Sequence, residues 1–362
     1  MQRRHFLKTA GIAAATTAAA TSVAHAEDNK VHHWKMVTTW PKNFPGLGTG
    51  ANHLAKKITE MTGGQIKVTV YGAGELVPAM EVFDAVSNGT AQMGHCAAYY
   101  WKGKSEAAQF FAAVPFGLTA DEMNSWFYYG GGLELWHETY APFNLVAFPA
   151  GNTGVQMGGW FNKEINSVED LKGLKMRIPG MGAEVLKRLG GTPVSLPGGE
   201  IFTSLQSGAI DATEWVGPYN DLAFGLYKAA KYYYYPGWHE AGSTLECMIN
   251  KEAFAALPKN LQALVKDACR IVNEDMFAEF NARNGSALNE LVNKHKVQLK
   301  PFPDSVLKEL VKVSDEVVAE VAGKDELTKR VYESFKAFRD NAMKYAEVSA
   351  LAYLKARTLL NS

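Results

Sequence analysis

The stretch SGAIDATEWVGPYND, residues 207–221, decides how this chain is read. It begins as an apolar strand after a glycine, carries Asp211, Glu214 and Trp215, and breaks at Gly217-Pro218. If residues 210–216 are extended, the period of two puts Ile210, Ala212 and Glu214 on one face, and Asp211, Thr213 and Trp215 on the other. An unpaired buried carboxylate is costly, so Glu214 needs a partner such as Arg177, another cation, or solvent past the strand end. Strand ends of this kind line the cleft where open α/β sheets bind ligands.

Upstream of this strand, EIFTSLQSGAIDAT (200–213) matches EVFDAVSNGTAQMG (81–94) in register, each reading as a helix, a glycine stop and a strand. At that offset His95 matches Glu214 and Tyr100 matches Tyr219. The match is consistent with two similar lobes, although two helix–glycine–strand units also resemble each other by chance. Strand and helix signals alternate from WKMVTTW (34–40) through a helix at 50–64, a strand at 65–72, a helix at 78–89 and a buried strand at 91–101. Such alternation predicts βαβ units and a largely parallel sheet. NLVAFPAGNTGVQMGGWFN (144–162) reads instead as two strands crossing between lobes. The alternation then resumes at LKMRIPG (174–180) and TPVSLP (192–197), and long charged helical stretches close the chain.

The N-terminus reads as a leader rather than as part of the fold. MQRRHFLKTAGIAAATTAAATSVAHA has twin arginines, Arg3-Arg4, and a small-x-small cleavage site that predicts a cut after Ala26. A twin-arginine route is expected, with an ordinary secretory signal as the alternative. The leader holds Arg3, Arg4 and Lys8 and no acid, so the chain's 37 Lys+Arg fall to 34 against 37 Asp+Glu. That balance gives no footprint for nucleic acid or an anionic membrane. Cys96, Cys247 and Cys269 are far apart and odd in number, which fits neither a disulfide framework nor a zinc site. The 8 Trp, 15 Tyr and 18 Phe cluster partly at turns, as the aromatics of small-molecule pockets do.

No nucleophile elbow, zincin, Walker or Cys-x-x-Cys motif is present, and GLGTGA (46–51) lacks dinucleotide-binding spacing. Arg177 stands at the end of LKMR, just before Ile178-Pro179-Gly180, with no other arginine between the leader and it. A guanidinium grips a carboxylate with two parallel hydrogen bonds, which Lys cannot do. The alternative is a surface pair with Glu169 or Asp170. Gln156 lies in the glycine-flanked crossover, and Glu240 follows YYYYPGWH. Gln, Glu and backbone carbonyl oxygens suit Na⁺ or Ca²⁺. The alternatives are a buried salt bridge for Glu214, a turn-capping amide for Gln156 and a solvated acid for Glu240.

WPKNFPG, NGTAQMGHCAAYYW, GNTGVQMGGWFNKEI, LKGLKMRIPGMGAEVLKRLGGTP, SLQSGAIDATEWVGPYND and YYYYPGWHE together resemble the solute-binding subunit of TRAP (tripartite ATP-independent periplasmic) transporters. The likeness is greatest to the subgroup that binds 2-oxoacids or 2-hydroxyacids with a cation. It implies an α/β, two-lobed periplasmic binding protein (type II-like) with crossover strands, a long lobe-spanning helix and a helical C-terminal tail. The expected division is a leader at 1–26, lobe I at 27–150 with later segments returning to it, lobe II at 151–250, and helices at 251–362. The resemblance assigns Arg177 to the ligand carboxylate, and Gln156, Glu214 and the Trp215 carbonyl, with Glu240 as a fourth ligand, to the cation. It has Tyr100, Asn152 and the Trp215 ring shaping the pocket. It further implies a periplasmic, non-enzymatic protein that delivers a small monocarboxylate such as pyruvate or lactate to TRAP membrane subunits, with a homodimer formed through a swapped C-terminal helix. An exported cofactor-dependent enzyme and a ligand-binding sensor component are the rival readings.

Overall fold

The computed structural model describes residues 30–361; the twin-arginine pair and the expected cleavage site lie outside the described residues. The strands in chain order are β1 (His32–Thr38), β2 (Ile66–Tyr71), β3 (Met93–Cys96), β4 (Leu145–Asn152), β5 (Gly159–Phe161) and β6 (Lys175–Arg177). They continue with β7 (Thr192–Val194), β8 (Ala212–Thr213), β9 (Tyr232–Tyr235), β10 (Thr244–Asn250) and β11 (Gln298–Pro301). They form two sheets, ordered β2-β1-β3-β10-β4 and β11-β9-β5-β8-β6-β7.

The two sheets repeat one plan. In the first, β1 pairs in parallel with β2 and β3, and β10 runs antiparallel to β3. In the second, β6 pairs in parallel with β7 and β8, and β5 runs antiparallel to β8. The glycines of the sequence repeat hold matching places, Gly89 at φ 82° and Gly208 at φ 77°, a backbone region that favours glycine. The connecting helices bury one face each. Leu47–Met61 buries Leu47, Ala51, Leu54, Ala55 and Ile58, the three-to-four-residue spacing of a core-facing stripe.

Two expected strands are shorter in the structure. Residues 91–101 keep only β3, because the chain turns into a 3₁₀ segment at Ala98–Trp101. That turn sends the Trp101 indole to Glu246, while Tyr99 and Tyr100 face a cavity between the sheets. The strand expected at 210–216 pairs regularly only at Ala212–Thr213, flanked by backbone bonds from Asp211 N to Lys175 O and from Glu214 N to Arg177 O. Glu214 and Trp215 therefore belong to the loop after the strand, and face alternation does not govern them. The span 151–250 also contains β10, which lies in the first sheet between β3 and β4. The chain returns there because β10 is buried along its length, and its antiparallel pairing covers β3.

Besides the passage from β10 to β11 through the long helix, the chain crosses between the sheets at residues 153–158 and 236–243, and these two crossings hydrogen-bond to each other. Gln156 N donates to Glu240 O at 3.2 Å, Gly237 N to Gln156 O at 3.0 Å and Thr153 N to Ser243 O at 3.1 Å. Gly237 permits this approach, since a Cβ there would lie 2.4 Å from the Gln156 carbonyl oxygen. The 35-residue helix Lys259–Asn293 ties both sides together. Its Asn273 accepts from Gly151 N at the end of β4, and its Asn284 accepts from Tyr219 N on the second side. Beyond it, Asp304–Ala322 rests on helix Gly180–Arg188, with Arg188 bonded to Glu320. Glu326–Val348 is tied to the first side through the two-pronged Arg330–Glu138 pair at 2.7 and 2.9 Å. Helix Ala350–Arg357 buries none of its side chains and exposes Leu351, Tyr353 and Leu354. No helix among the described residues is long and apolar enough to cross a membrane.

Candidate functional site

The crossings, the β6 end and the loop after β8 meet at one polar cluster. Arg177, Glu214, His239, Glu240 and Gln156 are each at most 3 % exposed. The pairing of β6 with β8 explains the first contact, because Arg177 lies opposite Thr213 and its side chain meets the next residue. Arg177 Nη1 donates to the Glu214 carboxylate and, at 3.2 Å, to the Glu214 carbonyl. Its Nε donates to Leu196 O at 3.3 Å, and its Nη2 reaches the Tyr100 hydroxyl at 3.4 Å. The guanidinium also sits over the Trp215 ring, 5.3 Å from the centroid, as a cation–π contact. The buried salt bridge considered for Glu214 is thus present, and the surface pairing considered for Arg177 is not.

On the other side of the cluster, His239 Nε2 lies 3.4 Å from Glu214 Oε2. Gln156 Nε2 donates to Glu240 Oε2 at 2.8 Å and to Thr153 Oγ1 at 3.1 Å. One donor atom each from Glu214, His239 and Glu240 falls within a mutual 4.8 Å, the grouping expected around a metal ion. Gln156 Oε1 is buried and has no hydrogen-bond partner, as are Trp215 Nε1 and Ser243 Oγ. Buried polar atoms rarely stay unpaired without a reason. Two carboxylates and an orphaned amide oxygen fit a hard, oxygen-seeking cation.

The electrostatics follow from burial. Burial, followed by the repulsion of Glu214, pushes the Glu240 carboxyl well above its ordinary range. Burial opposes the charge on Arg177, but Glu214 outweighs it, together with smaller contributions from Tyr100, Tyr99 and Glu240, and the guanidinium is held more firmly protonated. Burial likewise raises the Tyr99 and Tyr100 phenols, which stay neutral.

A narrow cavity of ≈ 10 Å³, room for about one water molecule, lies beside this cluster. Its polar lining comes from Thr153, Gln156 and Ser243 on the crossings and from Tyr99 and Tyr100, and its apolar lining from Trp40, Leu47, Trp215, Val216 and Leu245. Of the residues singled out in the sequence, Tyr100, Gln156 and Trp215 line it, while Arg177, Glu214 and Glu240 stand directly behind them. Asn152 is not in the lining. Its Oδ1 accepts from Gly154 N at 2.9 Å and its Nδ2 donates to Thr244 Oγ1 at 3.2 Å, so it braces the first crossing.

Sequence reasoning missed His239, Ser243, Thr153 and Trp40. The first two sit in the same crossing as Glu240, and the adjacency His239-Glu240 was the available signal. Trp40 carried a weaker one, an aromatic before a proline at a strand end.

Residues 36–325 match the bacterial extracellular solute-binding protein family 7. The chain is 48% identical over 359 residues to the monocarboxylate 2-oxoacid-binding periplasmic protein all3028 of Nostoc sp., covering 98% of each chain. A TRAP periplasmic solute-binding protein from Pseudoalteromonas atlantica, solved with bound sodium and pyruvate, is 43% identical with a TM-score of 0.87, over 90% of this chain and 99% of that one. The corresponding protein from Colwellia psychrerythraea, solved with calcium and pyruvate, is 44% identical with a TM-score of 0.87, over 90% and 100%. A TRAP solute-binding protein from Bordetella bronchiseptica, a mixed-occupancy dimer with copurified calcium and picolinate, is 38% identical with a TM-score of 0.89, over 92% and 100%. Proteins of this kind bind substrates for transporters and are not enzymes. With two sheets of one plan, two crossings and a buried polar cluster between them, the chain belongs to the family 7 bacterial extracellular solute-binding proteins, the solute-binding subunits of TRAP transporters.

Proposed function

We propose that this protein is a periplasmic receptor for a small 2-oxo monocarboxylate, taken up together with Na⁺ or Ca²⁺ and handed to TRAP membrane subunits. The observation that carries this reading is the buried, unpartnered Oε1 of Gln156, a cavity-lining residue whose Nε2 donates to Glu240, in the cluster that also holds Glu214 and Arg177. Arg177 and Glu214 are each other's charge partner. A carboxylate placed here without a cation would be repelled by Glu214 and would compete with it for Arg177. With a cation present, Glu214 turns to the metal and Arg177 turns to the ligand carboxylate, which its planar fork binds with two hydrogen bonds.

Gln156 Oε1, a Glu214 oxygen and the Trp215 carbonyl are the cation ligands of this reading, with Glu240 as the fourth. A cation held by these residues would supply the charge neutralisation that lets a carboxylate approach Glu214. Tyr100 and the Trp215 ring shape the pocket, and Asn152 serves indirectly by fixing the crossing that bears Gln156. The relatives solved with pyruvate and sodium or calcium support the same ligand class. The exposed face of helix Ala350–Arg357 supports a homodimer formed through the C-terminal helices.

A thermal-shift screen of pyruvate, lactate, 2-oxobutanoate and succinate, each crossed with Na⁺, Ca²⁺ and chelator, tests the reading. Stabilisation by the 2-oxo monocarboxylates only when a cation is present is expected. A preference for lactate would move the ligand to the 2-hydroxyacids, and stabilisation by succinate alone would overturn the ligand class.

A further inference from the structure

The cavity has two chemically distinct sets of walls. A carboxylate drawn to Arg177 and Gln156 leaves the rest of the ligand facing Trp40, Leu47, Val216 and Leu245. Among these, Trp40 is held unlike an ordinary packed side chain. Its indole Nε1 donates to His95 Nδ1 at 2.8 Å, and His95 Nε2 lies 3.2 Å from the Ala150 carbonyl oxygen. These partners require the neutral imidazole with its proton on Nε2, since Nδ1 must accept while Nε2 donates. Burial, only partly offset by the Ala150 bond, lowers the His95 pKa to about 4 and keeps it in that form at neutral pH.

The backbone is pinned too, because Trp40 O accepts from Ala73 N at 2.8 Å and from Thr38 Oγ1 at 3.0 Å. On its cavity side, the ring meets the Trp215 ring edge-on, with centroids 6.3 Å apart. Trp215 has no room to retreat, since even a Cβ on Gly198 would lie 2.5 Å from its ring. Neither indole can give way without breaking a buried contact. A close-packed wall of this kind resists an added methylene, whereas a wall of flexible side chains would repack around it.

We propose that Trp40, fixed by the Trp40–His95–Ala150 hydrogen-bond chain, is the stop that sets the chain length of the 2-oxoacid, with His95 as its positioning residue. This rests on the 2-oxoacid reading above and adds to it that the receptor takes the shortest members of that class. An extra methylene in a snug apolar pocket changes affinity by roughly 10–200-fold, so the selection between pyruvate and a longer homologue is expected to be steep.

Calorimetric titration of the folded protein with pyruvate, 2-oxobutanoate and 2-oxohexanoate in saturating Ca²⁺ tests the stop. Wild type binds pyruvate at least about tenfold more tightly than 2-oxohexanoate. Trp40→Leu and the milder Trp40→Phe shift that ratio toward 2-oxohexanoate by about tenfold or more. His95→Leu relaxes the ratio in the same direction. His95→Gln keeps an acceptor for the indole and a donor for Ala150, and retains the wild-type ratio, a pattern that mere loss of stability would not produce. Melting temperatures verify that each variant is folded, and Trp40→Phe decides the matter if Trp40→Leu does not fold. An unchanged ratio in the folded Trp40 variant, or equal binding of all three acids by wild type, overturns the stop and leaves the 2-oxoacid reading standing. Failure of wild type to bind any of the three overturns both.

Discussion

Gln156 turns its amide nitrogen to Glu240, 2.8 Å away, and leaves its buried oxygen without a protein partner. One side chain thus joins the second crossing to the cavity and keeps a free acceptor there. Replacing it with leucine keeps the volume and removes the oxygen. Gln156→Leu is expected to lower affinity for pyruvate by about tenfold or more and to flatten its dependence on Ca²⁺, as titration at several Ca²⁺ concentrations reads directly. Wild-type cation dependence in this variant would remove Gln156 from the cation shell.

Arg177→Lys preserves charge and loses the planar fork. A lysine cannot serve Glu214, Leu196 O and a ligand carboxylate in the same geometry, so pyruvate affinity should fall by about 100-fold. Arg177→Met leaves Glu214 buried without its partner and should cost about 3–5 kcal/mol of stability, measured by denaturant unfolding. If Arg177→Lys binds as wild type does, the arginine plays only a structural part.

Gly237→Ala tests the contact between the crossings. The new Cβ would meet the Gln156 carbonyl, which is backbone and cannot rotate aside. A loss of about 1–3 kcal/mol in unfolding free energy is expected, with weakened ligand binding because Gln156 moves. Unchanged stability would show that the crossings separate at little cost.

Glu246, buried and outside the cavity lining, gives the stability a pH dependence of its own. Burial raises its pKa to about 7, against the pull of donors on Trp101, Tyr140 and Cys96. Between the ordinary value of 4.5 and about 7 the folded protein keeps a proton that the unfolded chain has lost. The contribution is therefore fully present below pH 4.5 and is lost as pH rises through about 7. The melting temperature should fall between pH 5 and 8, and less steeply in Glu246→Gln. Equal slopes in the two proteins would contradict the assignment.

The two βαβ plans were legible because helix and strand periods, glycine stops and a matched pair of segments are local features. Arg177 stood out by its rarity and its place at a strand end, and Glu214 by being a carboxylate where an apolar strand stops. What could not be read was which strands become neighbours. The Arg177–Glu214 pair depends on β6 lying against β8, and the Trp40–His95 bond on Thr38 lying opposite His95 in the β1–β3 register. Both are non-local pairings that no periodicity encodes. Asn152 stands outside the cavity lining and braces the crossing, a distinction its position in the sequence does not carry.

The central claim, that cation and carboxylate bind as a unit, is tested most directly by calorimetric titration of pyruvate into metal-stripped protein. The titration is run in sodium-free buffer with chelator, then repeated with Na⁺ and with Ca²⁺. The account predicts binding with either cation, or with one of them, and affinity weaker by about 100-fold or more without both. Equal affinity in all three conditions would contradict it.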